Sequence, residues 1–150
     1  MRRAIELSLE NVHSGNGGPF GAVVVQSGTI IGEGANQVLT TNDPSAHAEV
    51  VAIREACHRL RAFQLTGCEI YTSCEPCPMC MGLIYWARPE KVFYANTAED
   101  AAKIGFDDAF IYRELTLPLA KRAVAMQQMM REEAQLAFAA WDKKTDKTVY

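Results

Sequence analysis

The chain has 150 residues, 49% hydrophobic and 22% charged, with 18 Asp and Glu against 15 Lys and Arg. That is the length of a single domain able to bury its own core, which excludes a disordered chain and makes chemistry the first reason for any metal. A net charge of −3 speaks against general binding to a nucleic-acid backbone, and no apolar run approaches the roughly 18 residues of a membrane span.

Residues 4–13 set Ile5, Leu9, Val12 and His13 at helical spacing, and Ser14-Gly15-Asn16-Gly17-Gly18-Pro19 ends that amphipathic helix. Residues 20–26, with Val23, Val24 and Val25, predict a buried strand. Ser27-Gly28 turns the chain, and residues 29–33 return as its hairpin partner. A polar loop over 34–44 carries no element of its own. Ser45 is expected to cap a second helix that runs to about Arg61 with Val50, Ile53, Cys57 and Leu60 inward. Residues 69–73 form a third strand. Pro76 and Pro78 open a third helix over 77–87, which Arg88-Pro89 ends, and 91–95 form a fourth strand. Beyond Asn96 the pattern gives a short helix over 98–103, a break at Gly105 and a fifth strand over 123–128. A helix from Arg131 to about Trp141 and a polar tail over 142–150 complete the chain. Strands alternating with helices predict helices on both faces of a central sheet, in one domain spanning 1–150 with its tail.

Three of the five cysteines stand at 74, 77 and 80. An odd, clustered set fits a metal site in a reducing compartment better than a disulfide framework. Met1-Arg2-Arg3-Ala4 runs into Glu6 and Glu10 without the apolar stretch of a leader, so a cytoplasmic protein is expected. His47-Ala48-Glu49 opens the second helix and Pro76-Cys77-Pro78-Met79-Cys80 the third. Two thiolates and an imidazole are donors that zinc prefers, and backbone amides at a helix start favour the thiolate form. Three protein ligands leave a fourth position for water, which then loses its proton near neutral pH. Glu49 lies about 200° around a helix from His47. It is poorly placed as a fourth ligand but suited to carry protons beside that water. Two plainer arrangements compete: Cys74 joining as a third sulfur in a closed structural site, and His47 or Glu49 as ordinary polar residues of a helix. Pro76, between Cys74 and Cys77, favours the open site. Cys57 and Cys68, among apolar neighbours, read as core fillers.

The stretches Gly17–Val23, Asn42–Glu49, Tyr71–Cys80, Ile84–Pro89 and Gly105-Phe106-Asp107-Asp108 together resemble the cytidine-deaminase-like zinc deaminases. The signature of these enzymes is H-x-E…P-C-x-x-C. Ser-Cys-Glu-Pro-Cys, Tyr-Trp-Ala-Arg-Pro and Gly-Phe-Asp-Asp are similar to the bacterial guanine deaminases in particular. The likeness is strong over 15–113 and thin beyond. It implies an α/β fold, a three-layer α/β/α sandwich around a mixed five-stranded sheet, and hydrolysis of guanine to xanthine and ammonia. It further implies Zn2+ held by His47, Cys77 and Cys80, with Glu49 shuttling protons. Asn36 would bind the base, Phe20 and Trp86 would flank its ring, and Asp108 would face its polar edge. Members are homodimers that exchange C-terminal tails, which would set Tyr150 over the other chain's site. Asp107 and Asp108 read equally well as turn residues, and Phe20 and Trp86 as core. A tRNA adenosine deaminase is the rival enzyme, disfavoured by the acidic charge. A non-catalytic zinc module is the rival outside enzymes, and there Glu49 would have no purpose.

Overall fold

The computed structural model describes residues 1–149. The chain divides into two compact units, Met1–Ala109 and the segment from Phe110 onward.

In the first unit the order is α1 (Arg2–Ser14), β1 (Gly21–Gln26), β2 (Thr29–Ala35), α2 (Val38–Thr41), α3 (Ala48–Leu60), β3 (Cys68–Cys74), α4 (Pro78–Ala87), β4 (Lys91–Asn96) and α5 (Ala98–Lys103). The sheet runs β2-β1-β3-β4. β1 is antiparallel to both neighbours and β3 is parallel to β4, so the class is α/β with a mixed sheet.

Directly opposed residues of antiparallel strands share a face. Ala22 opposes Gly34 on one side and Thr72 on the other. A Cβ added at Gly32 or Gly34 would run into backbone atoms of Ala52 and Ala48, so α3 lies very close over this face. Its contact stripe, Ala48, Ala52 and Ala56, recurs every four residues and is fully buried. Small residues on both partners therefore set the depth at which the start of α3 meets the sheet. Ile84 and Ala87 of α4 join the same core with Ile70, Cys68 and Val24.

The opposite face carries α1, and here the sequence reading is corrected. Ile5, Leu9 and Val12 are exposed, whereas Ala4, Ser8 and Asn11 are buried. The reason is again close approach: a Cβ at Gly21 would meet the Ala4 carbonyl and the Ser8 amide, so only small side chains fit beneath α1.

Two further expectations change. Ser45 does not cap α3; its hydroxyl and amide both donate to Asp43 Oδ1, at 2.7 and 2.8 Å. The cap is His47, in extended backbone with its side chain uncommitted to the helix. The loop over 34–44 contains the one-turn helix α2.

The second unit holds α6 (Ala109–Thr116), a 3-10 turn at Leu119–Lys121 and α7 (Arg131–Lys143). The Arg122 guanidinium donates to the Leu117 and Leu115 carbonyls at 3.0 and 3.2 Å and closes the end of α6. The expected fifth strand over 123–128 does not form, so the sheet has four strands and not five. Val124 is the single β-branched residue among Ala, Met and Gln in that stretch, and the Ala123 amide donates to Glu114 Oε2 at 2.6 Å instead of a ladder.

Candidate metal centre and active site

Two helix starts converge at one point. β3 ends at Cys74, Pro76 breaks the chain direction, and Pro78 occupies the first turn of α4, where its missing N–H costs nothing. Cys77 is the cap of α4 and Cys80 lies one turn inside it, while His47 caps α3. The Nδ1 of His47 lies 3.6 Å from the Sγ of Cys77 and 3.6 Å from that of Cys80. All three ligand atoms stand within 4.8 Å of one another.

These distances suit zinc. Bonds of about 2.3 Å to sulfur and about 2.0 Å to nitrogen, spread tetrahedrally, place the two atoms about 3.5 Å apart. The electrostatics agree with the donor chemistry. The Cys77 thiol is drawn down to about 4 by hydrogen bonds from Cys80 and His47. Cys80, which keeps the shared proton, is pushed up by that bond and by burial. His47 is raised by its bond to Cys77. The cluster thus already carries thiolate character that a cation would take over.

Cys74 stands apart from this cluster. Its thiol is buried, pushed up to about 11 chiefly by that burial, and donates to the Thr97 carbonyl at 3.5 Å. Its role is to tie the end of β3 to the cap of α5. Glu75 makes a parallel tie, accepting the Ala98 amide at 3.1 Å.

Glu49, in the first turn of α3, is only 6% exposed. Burial raises its pKa. Its Oε1 accepts from Thr72 Oγ1 at 3.3 Å and its Oε2 from Cys80 Sγ at 3.5 Å. The carboxyl is therefore beside the cluster and oriented from the sheet. Thr72 escaped the sequence reading, although a polar residue continuing the inward alternation of Cys68 and Ile70 was its signal.

The remaining expected residues divide. Asn36 is buried at the end of β2, its amide donating to the Phe20 carbonyl at 3.1 Å. Phe20 meets Phe106 edge to face, with ring centres 4.8 Å apart. Asp108 is half-buried, and its pKa is raised first by burial and next by the charge of Cys77. Asp107 is the turn residue of that pair: its Oδ1 accepts the Ala109 amide at 2.9 Å and opens α6. Trp86 is 61% exposed. It lies six residues past Cys80, about 240° further around α4, and so on a different side of that helix. Tyr150 lies outside the described residues.

Residues 1–96 match the family described as the cytidine and deoxycytidylate deaminase zinc-binding region. The chain belongs to this deaminase family. Among members of the wider group, it is 54% identical over 150 residues to the guanine deaminase of Bacillus subtilis, covering 100% of this chain and 96% of that one. The X-ray structure of the B. subtilis enzyme superposes with a TM-score of 0.96 over 99% of this chain and 95% of that chain. Guanine deaminase from Nitrosomonas europaea is 34% identical, with a TM-score of 0.68 over 71% of this chain and 62% of the other. The tRNA-specific adenosine deaminase of Aquifex aeolicus is 47% identical over 77 residues, 51% of each chain. The deaminase zinc-binding match thus covers every residue of the His47, Cys77 and Cys80 cluster, and the guanine deaminase of B. subtilis matches the second unit as well.

Proposed function

We propose that this chain is a zinc-dependent guanine deaminase, converting guanine and water to xanthine and ammonia. The observation that carries this reading is identity of 54% with a guanine deaminase along the entire chain. A tRNA-specific adenosine deaminase, that of Haemophilus influenzae, is 35% identical over 72% of the chain.

His47, Cys77 and Cys80 would hold the metal. When bound, zinc would supply a Lewis acid that lowers the pKa of a coordinated water toward neutrality. The residues around it supply the rest. Glu49, with its raised pKa, is fitted to take one proton from the attacking water and pass it to N3 of the base. It would then take a second from the new C2 hydroxyl and pass it to the amino nitrogen as the C–N bond breaks. Thr72 holds that carboxyl in place from the sheet. Guanine offers N1–H and the C2 amino group as donors, and Asp108 is the carboxylate assigned to accept them. Asn36 engages the base from the end of β2, and the Phe20–Phe106 pair supplies an apolar wall.

The same reading makes the protein a cytoplasmic homodimer whose chains exchange C-terminal tails, with Trp86 and the partner's Tyr150 completing the pocket. Two observations support it. No helix among the described residues is long and apolar enough to cross a membrane. The apolar residues of α7, Leu136 and Phe138, are each 71% exposed in a single chain.

Incubating the zinc-loaded protein with guanine and following xanthine and ammonia tests the reading. Deamination of adenosine in tRNA, with guanine untouched, would replace it by the rival enzyme. Release of neither product would leave a zinc-binding module.

A further inference from the structure

We propose that Asn11 is a positioning residue for the substrate pocket, its carboxamide clamping the loop before β1 to the loop after β2 and so setting where Asn36 meets the base. The inference rests on the guanine reading above.

Asn11 sits in the last turn of α1 and is 6% exposed. Its Nδ2 donates to the Gly18 carbonyl at 2.8 Å and to the Asn36 carbonyl at 2.9 Å. A carboxamide nitrogen carries two hydrogens, so each loop receives one. The same loops are joined a second time by the Asn36 amide, which donates to the Phe20 carbonyl at 3.1 Å. Asn36 Oδ1 in turn accepts from the Val38 amide at 3.4 Å, which fixes the direction of its side chain.

The glycines of the first loop are shaped to this clamp. A Cβ at Gly17 would run into the Asn36 carbonyl oxygen and stand 3.0 Å from Asn11 Nδ2. A Cβ at Gly18 would stand 3.0 Å from the Phe106 ring and 3.2 Å from that of Phe20. One side chain of α1 therefore ties the loop before β1 to the backbone of Asn36, the residue assigned to the base. The helix itself gains nothing from asparagine there, since Asn is a poor helix former. Asn11 is no member of the His47, Cys77 and Cys80 cluster. Its influence should fall on substrate binding and spare the metal.

The test is steady-state kinetics of zinc-loaded Asn11→Ser and Asn11→Ala with guanine, alone and combined with Asn36→Ala. KM should rise about tenfold, the equivalent of one net hydrogen bond, while kcat and zinc content stay within about twofold of the unmodified enzyme. In the Asn36→Ala background the Asn11 change should add nothing to KM, because both act through one contact. A lowered Tm with unchanged KM, or effects that simply multiply in the double variant, would overturn the proposal. Hydrogen exchange gives a readout independent of substrate. Amides of residues 16–20 and 36–38 should exchange faster in Asn11→Ser while β1 and β3 stay protected, and equal protection of those loops would dismiss the clamp. Failure of the unmodified enzyme to deaminate guanine would instead remove the functional reading and the substrate assigned here, and the exchange comparison would still decide the clamp.

Discussion

Thr72 Oγ1 donates to Glu49 Oε1 across 3.3 Å, joining the middle of the sheet to the first turn of α3. Both residues are buried, so the hydroxyl is a fixed partner that solvent does not replace. Thr72→Val keeps the branched shape and deletes the donor, leaving a carboxyl oxygen short of a partner at a cost of about 1–3 kcal/mol. The variant should melt earlier and lose about tenfold in kcat, with KM for guanine and zinc content little changed. An unaltered kcat would show that burial alone orients the carboxyl.

Glu49→Gln removes the proton carrier and keeps the size. The substitution also relieves the burial of an ionisable group, whose pKa is already raised by desolvation. Fold and zinc should therefore survive while turnover falls by at least about 10²-fold, the lower range for general acid–base catalysis. Zinc analysis beside xanthine formation decides the matter. A rate near that of the unmodified enzyme would eliminate Glu49 as the shuttle.

The cysteines of the 74–80 run should separate cleanly. Cys77→Ser and Cys80→Ser exchange a soft thiolate for a hydroxyl that holds zinc poorly, so metal and activity should go together. Cys74→Ser should keep the zinc, because that thiol serves the Thr97 carbonyl and not the cluster. Metal analysis of Cys74→Ser showing an empty protein would return Cys74 to the ligand set.

Gly34→Ala tests the spacing that delivers His47 and Glu49 to the sheet. The new methyl would collide with the Ala48 backbone, and α3 would have to lift at its first turn. Overpacking of this kind costs about 1–3 kcal/mol. Zinc affinity should drop as well, since Ala48 lies between His47 and Glu49. Weaker stability with an unchanged zinc Kd would show that the metal cluster is indifferent to the depth of α3.

How far the sequence reaches is clear from these same residues. The gathering of His47, Cys77 and Cys80 was legible because its parts are local: His47 stands with Glu49, and Cys77 with Cys80, each pair within one turn. The four strands and the three long helices of the first unit followed from periodicity and from Gly and Pro punctuation. What stayed hidden depends on tertiary distance. Thr72 and Asn11 reach partners 23 and 25 residues away, a separation that no local pattern encodes. The buried face of α1 was misread because hydrophobicity pointed to Ile5, Leu9 and Val12, whereas close packing on Gly21 demanded Ala4 and Ser8. α6 was missed because Phe110, Ile111 and Tyr112 are weak helix formers, and its start depends on Asp107 accepting the Ala109 amide.

The tail supplies the last prediction. Residues 142–149 are largely polar, and Val149 is 79% exposed, so the segment has no packing reason of its own to hold one place. In α7, Leu136 and Phe138 likewise stand exposed in a single chain. A second copy that covers this apolar surface would carry the tail with it and bring an aromatic hydroxyl over a flat base, excluding water. Deleting residues 147–150 should then leave zinc and fold intact but sharply reduce guanine deamination. Mixing is the sharper measurement. A tail-deleted chain keeps Glu49, and a Glu49→Gln chain keeps its tail. If tails are exchanged, a mixed dimer of two inactive chains regains one working site, built from the first chain's Glu49 and the second chain's tail. Subunit exchange demonstrated by mass spectrometry with no recovery of activity would show that each tail serves its own chain or serves no site.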